Sequence, residues 1–347
     1  MAVTVYTKDD VDILLGEQAT FGTVLADIAD FNGTTPEWGE IVDCEIGVLD
    51  TDVKTREPNR SNSGNRILLA QNVQHDEKGT MPKFTIQGDA KKHTLAGLLY
   101  GVVQNVSEAV GTPFEKTFTF ASTQPDFTAN AGWFGTLIVK QPSSLSQKVR
   151  DMIVRKLTLS CEPENNQGRM QMTAELIGRG AVTRDSAPNT GVLARYAQSF
   201  FYFHDLKVAS FVGNTIYPLS IPKIEITNNA LAIGQKSATS GDFLTYALGA
   251  PSYSVTFTIR VLWDTVSAGL KNTEATTPAS QAGALILSWG TDNTDGYLNF
   301  TTYCKVDAPS PDAYGPTKAV DFNFTMVDDE VNEPFTCVIA DALDRAW

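Results

Sequence analysis

Few residues in this chain are of the types that carry catalysis, and their spacing argues against it. The three histidines are His75, His93 and His204. No two stand at metal-ligand spacing, and neither an HExxH nor a GxSxG pattern occurs, so a zinc hydrolase or an activated serine has nothing to build on. Each histidine reads as structural. Gly234-Gln235-Lys236-Ser237 approaches a phosphate loop. It lacks the upstream glycine and the Gly-Lys step with which such a loop wraps a phosphate. Asn293-Thr294-Asp295-Gly296 superficially resembles a calcium loop, but Thr291 stands in the first ligand position and no glutamate closes it. A hairpin turn is the better reading. Asp328-Asp329-Glu330 is a carboxylate run between two strand-like stretches. It is expected to be a solvated turn; a hydrolase would need two carboxyls brought together in space, and the sequence leaves that open. The four cysteines, Cys44, Cys161, Cys304 and Cys337, are far apart and sit in apolar runs. They read as small buried hydrophobes, with no zinc pair among them. No enzyme activity, cofactor or metal is therefore expected.

The elements around these residues alternate with period 2. Ile41–Leu49, Lys83–Gln87, Thr117–Phe120, Gly135–Val139, Val154–Cys161 and Met170–Ile177 do so in the first half. Phe201–Phe211, Ile221–Thr227, Tyr253–Arg260, Ala284–Trp289, Tyr297–Tyr303, Ala319–Val327 and Pro334–Ile339 continue the pattern. Val, Ile, Thr, Phe and Tyr fill them, as half-buried strands prefer. Asn165-Asn166-Gln167-Gly168 and Asp295-Gly296 are turn signals. Two segments change period. In Lys91–Val103, Leu95, Leu98, Leu99, Val102 and Val103 follow helical spacing and predict one apolar face. Asp264–Asn272 predicts a shorter helix capped by Asp264.

The order of these elements repeats. Each half has an alternating strand, a polar excursion, a Phe-Thr-Ile strand, a helix and then further strands. Phe84-Thr85-Ile86 and Phe257-Thr258-Ile259 are the best local match. Arg179–Tyr196, rich in small and turn-forming residues, reads as a linker. The expectation is a mainly β chain of two tandem domains, residues 1–190 and 191–347, each with a short flanking helix and a long hairpin arm. The chain's 347 residues suit two domains of ordinary size.

The polar excursion Thr51–Thr80 is long for a connection inside a compact domain. Lys54, Arg56, Arg60, Arg66 and Lys78 make it more basic than the remainder of a chain whose net charge is −13. It reads either as a solvated loop or as an arm that orders on a neighbouring subunit, these five residues being the contact candidates. The acidic balance excludes ordinary nucleic-acid binding, which relies on Lys and Arg displacing counterions. It suits a surface past which DNA slides without specific binding. No apolar run reaches the roughly 18–20 residues of a membrane helix, and the N-terminus lacks signal-peptide character, so folding in a cytoplasm is expected.

Several blocks resemble the major tail tube proteins of siphophages. Leu15-Gly16-Glu17-Gln18-Ala19-Thr20-Phe21-Gly22-Thr23 is similar to that family's opening, with Val24 where proline is usual. Arg155–Ser160 through Ala174–Gly180 resembles its central hairpin block, and Phe201–Ser210 followed by Ile224–Leu231 resembles a later one. The resemblance spans most of the chain and rests on order and spacing. It implies tandem tail-tube-type β-barrel or sandwich domains in a structural virion protein. Three chains would form a homotrimeric, pseudo-sixfold ring. Rings would stack through the arm at about 51–80 into a conduit for genome delivery, meeting other tail proteins at the tube ends. Assembly would take place in the host bacterial cytoplasm. A carbohydrate- or receptor-binding β-protein of the virion is the alternative, with Trp133, Trp263 and Trp289 as stacking platforms.

Overall fold

A computed structural model describes residues 12–18, 44–46, 54–56, 74–76, 83–109, 114–122, 132–140, 146–185, 200–229, 235–236, 243–245, 252–262, 282–290, 296–307, 319–328, 330–331 and 333–341. The first half contributes strands β1 (Asp12–Glu17), β2 (Cys44–Ile46), β3 (Lys54–Arg56), β4 (Gln74–Asp76) and β5 (Lys83–Asp89). Helix α1 (Lys92–Val103) follows, then β6 (Gln104–Ala109), β7 (Phe114–Phe120), β8 (Gly135–Lys140), β9 (Ser146–Cys161) and β10 (Gln171–Asp185). The second half contributes β11 (Leu206–Phe211), β12 (Asn214–Thr215), β13 (Pro218–Asn228), β14 (Gln235–Lys236) and β15 (Phe243–Thr245). It ends with β16 (Tyr253–Leu262), β17 (Ala282–Trp289), β18 (Leu298–Asp307), β19 (Ala319–Met326) and β20 (Phe335–Asp341).

The protein is mainly β, and 16 strands form one curled, half-barrel antiparallel sheet. The alternation seen in the sequence is the alternation of burial: β17 runs half-buried, buried, half-buried throughout. Pairing order recurs between the halves. The first half pairs in the order β1-β8-β9-β10-β5-β2. The second pairs in the order β11-β17-β18-β19-β16-β13. The Phe-Thr-Ile match falls at one ladder position in both. Phe84 lies opposite Leu176 and Ile86 opposite Ala174. Phe257 lies opposite Phe324 and Ile259 opposite Phe322. Even the far end of β10 has its counterpart: β10 pairs Arg179 with Arg150 and Asp185 with Ser146 of β9, as β20 pairs Phe335 with Thr302 and Ile339 with Leu298 of β18.

The halves are joined as one sheet. β13 pairs with β9 from Ile221–Cys161 to Thr227–Lys156, and β20 pairs with β7. The buried core runs unbroken through both. At the junction Phe120 stacks on Tyr253 and Phe335 at centroid distances of 4.3 and 4.9 Å, and Asn228 Nδ2 donates to the Val102 carbonyl on α1 at 3.2 Å.

Helix α1 forms where the apolar spacing predicts, and Leu95, Leu98, Leu99, Val102 and Val103 are all fully buried. It ends at Gln104, whose φ of 67° takes the left-handed position usually given to glycine. Its side chain compensates. Nε2 donates to the Gly101 carbonyl at 2.6 Å, and Oε1 accepts from the Trp133 backbone at 2.7 Å.

Three sequence expectations are revised. The stretch taken as a linker begins inside β10: Arg179–Asp185 is strand, since its Val182 and Thr183 favour extended backbone and register shifts absorb the small residues beside them. Phe201–Phe211 is not one strand, because a 3-10 turn at Phe203–Asp205 precedes β11. β1 and β6 carry no clear alternation and were not expected as strands. The expected helix Asp264–Asn272 lies outside the described residues.

Candidate functional site

The basic arm candidates divide. Lys54 and Arg56 lie on β3, which pairs with β4 as Lys54–Asp76, Thr55–His75 and Arg56–Gln74. The excursion is therefore a hairpin at its base, on a two-stranded sheet separate from the main one. Arg60, Arg66 and Lys78 lie outside the described residues. The second half carries a like hairpin, β14–β15, at the same place between β13 and β16. Its β15 lies against β10 of the first half.

The groups with catalytic potential are accounted for locally. Asp328 accepts a 2.8 Å hydrogen bond from the Glu330 amide, and Glu330 has a φ of 61°, so this part of the carboxylate run is a closed turn. His204 is exposed in the 3-10 turn, with Nε2 3.4 Å from Asp205. Cys161, Cys304 and Cys337 are buried free thiols. Burial pushes the first two up to about 12 and the third well above the ordinary thiol range, so none is a thiolate nucleophile at neutral pH. The backbone of Cys44 is in β2. No cluster of three metal-ligating side chains occurs among the described residues. Trp133 and Trp289 are fully buried and cannot stack on a sugar; Trp263 lies outside the described residues.

The segment that ends β1 holds distant strands together. Gln18 Nε2 donates to Asp151 Oδ1 at 2.9 Å, and its Oε1 accepts from the Asp151 amide at 2.7 Å and from Thr136 at 3.0 Å. All three residues are buried. Asp151 has a φ of 52°, and this network holds that irregular point of β9 to β1 and β8. Gly135 of β8 allows the close approach to β1: a Cβ on it would sit 2.8 Å from the Gly16 carbonyl.

Sequence reasoning missed one polar pocket. Glu17, Ala96, Gly97, Tyr100, Val106, Glu108, Lys116 and Phe118 line a cavity of about 200 Å³. Lys116 pairs with Glu108 at 2.5 Å. Burial raises Glu17 to about 7, the Lys116 charge opposing this and Glu108 adding to it. Tyr100 is raised to about 12 by burial and by both glutamates. Only the apposition of β1, α1, β6 and β7 assembles these groups, and nothing in their spacing announces it. Folded Glu17 holds its proton well above its ordinary 4.5, so the stability this confers is complete below about pH 4.5 and is lost as pH rises through about 7. We expect Glu17→Gln to flatten the stability profile across that window and to match or exceed the parent at pH 8, by on the order of 1–2 kcal/mol after screening. Urea denaturation at a series of pH values reads this, and parallel curves for parent and variant would refute it.

The surface also carries apolar side chains where β11, β12 and β13 connect. Val208, Val212, Tyr217 and Leu219 are exposed, Tyr217 at 61%. Exposed apolar groups gathered along one connected stretch mark contact surface more often than isolated ones do.

No protein-family model matches the chain, and no curated protein matches it.

Proposed function

We propose that this chain is a structural virion protein, the repeating subunit of a bacteriophage tail tube. The observation that carries the reading is the recurrence of pairing order and register between two halves fused in one sheet. A subunit built from two like units places similar surfaces at regular rotations, which suits a closed ring with twice as many units as chains. The reading takes residues 1–190 and 191–347 as two tube-type domains, three chains as a pseudo-sixfold ring, and stacked rings as the conduit. DNA passes an acidic interior that repels phosphate, without specific binding. The exposed apolar side chains around β12 and the family-like blocks at Leu15–Thr23 and Arg155–Gly180 support it. The partners are further copies of the chain and other tail proteins at the tube ends.

Negative-stain electron microscopy of the folded protein tests this. Rings or hollow tubes are expected, and a monodisperse monomer at all concentrations would count against the reading. Deleting residues 59–72 spares β3 and β4. The variant is expected to stay folded and soluble while tube length falls by about tenfold or more, because loss of one ring-to-ring contact acts at every stacking step. Tubes of normal length would show that the excursion is not the stacking arm.

A further inference from the structure

The cavity between β1, α1, β6 and β7 has a volume of about 200 Å³. Ala96, Lys116 and Phe118 line it and are all buried, so it is recessed below the surface. A cavity of roughly 150 Å³ accepts a benzene ring, so this one has room for a molecule of about seven or eight non-hydrogen atoms. Its walls divide by chemistry. Ala96, Val106 and Phe118 are apolar, while β1, α1, β6 and β7 bring the titratable groups Glu17, Tyr100, Glu108 and Lys116. β8, the ladder neighbour of β1, sets uncharged Gly135 opposite Glu17. Two carboxyl groups thus share one ammonium. Lys116 pairs with Glu108, and their side chains are 9% and 59% exposed, so the pair runs from the cavity towards solvent. Burial raises Glu17 to about 7, with the Lys116 charge opposing this and Glu108 adding to it. Burial and the charges of Glu17 and Glu108 raise Tyr100 to about 12. Both groups hold their protons tightly because the space is poorly hydrated and its field is negative. Such a space favours positive charge.

We propose that this cavity binds a small protonated amine, its ammonium seated on Glu17 and its apolar body against Ala96, Val106 and Phe118. An ammonium supplies the positive charge that Glu17 otherwise takes from solvent as a proton. Opposite charges attract more strongly in this poorly hydrated space than in water. The aromatic rings of Tyr100 and Phe118 add attraction for a cation. An anion is disfavoured, because Glu17 and Glu108 repel it and Lys116 is already engaged with Glu108. A neutral molecule of the same shape keeps the apolar contacts but leaves the Glu17 carboxylate without a counter-charge. Binding exchanges one cation for another: the Glu17 proton passes to solvent as the ammonium takes its place. Low pH therefore weakens binding, since the proton competes, and affinity rises as pH passes through the range in which Glu17 ionises. The proposal uses elements of a single chain, so its failure would leave the tube reading as it stands.

Calorimetric titration of the full chain tests it, with benzylamine as the probe and benzyl alcohol as its neutral counterpart. At pH 8 benzylamine is expected to bind about tenfold or more tightly than benzyl alcohol, as hydrogen bonds between charged groups allow. At pH 6 its affinity should fall by about tenfold, the ratio of ionised Glu17 at the two values for a group titrating near 7. Glu17→Gln should remove the preference for the amine. The probe comparison and the pH dependence are both read on the parent chain, so the test holds even where the variant fails to fold. Equal affinity for the two probes, an amine affinity that does not change with pH, or no heat of binding at millimolar benzylamine would each overturn the proposal.

Discussion

Replacing Trp133 with alanine is expected to cost about 3–5 kcal/mol, the range for emptying a large aromatic from a core. Trp133 is fully buried, and the sequence around it has made room for the ring on two sides. A Cβ on Gly101 of α1 would stand 2.5 Å from Val154 Cγ2 and 2.9 Å from the Trp133 ring. A Cβ on Gly135 of β8 would stand 3.1 Å from that ring. The indole is thus the piece over which the helix approaches the sheet, and its backbone amide is held by the side chain of the helix-capping Gln104. Thermal unfolding should fall by roughly 4–7 °C, taking an unfolding entropy of about 2 cal/mol/K per residue over the 347 residues. The same geometry predicts coupling. Gly101→Ala alone overpacks the site and should cost about 1–3 kcal/mol. In the Trp133→Ala background part of that cost should vanish, because the ring is gone and the cavity it leaves gives Val154, the nearer obstruction at 2.5 Å, room to move. Strict additivity of the two changes would mean that the helix is not seated on the indole.

The sequence disclosed what local periodicity controls and little of what distant apposition controls. The face of α1 was legible because Leu95, Leu98, Leu99, Val102 and Val103 follow a 3.6-residue period, which sets which side chains share a face. Strands such as β16 and β17 were legible because one face is buried and the other is not. β6 was hidden because its residues, Gln-Asn-Val-Ser-Glu-Ala, are mostly exposed and lack an apolar face. β1 was hidden because Gly16, Glu17 and Gln18 break the alternation, each for a partner far along the chain. The repeat was visible as element order and as one short match. Its stronger form, the same register on corresponding ladders, needs long-range pairing that no local pattern encodes. The pocket of Glu17, Tyr100, Glu108 and Lys116 was invisible for the same reason.

Gln18→Leu should be the most damaging single polar change near the N-terminus, costing about 3 kcal/mol or more through buried groups deprived of partners. Leucine fills similar volume, so the loss is one of hydrogen bonds and not of packing. The amide of Gln18 serves three partners at once: the Asp151 carboxyl, the Asp151 backbone N–H and the Thr136 hydroxyl. Asp151 is wholly buried, and Arg150 Nε is 4.0 Å from its other carboxyl oxygen, too far for a hydrogen bond. A buried carboxyl that loses a hydrogen-bond donor is costly, whereas a buried amide is less so. Asp151→Asn in the Gln18→Leu background should therefore recover part of the lost stability, while Asp151→Asn in the parent should not stabilise. Urea denaturation of the four proteins measures the cycle. A cost below about 0.5 kcal/mol for Gln18→Leu, typical of surface positions, would mean that β1 is held by its ladder to β8 and that Gln18 is incidental. The larger value would give the Leu15-Gly16-Glu17-Gln18 segment a physical reason: its glutamate sits in a buried pocket that raises it to about 7, and its glutamine pins an irregular strand to the first edge of the sheet.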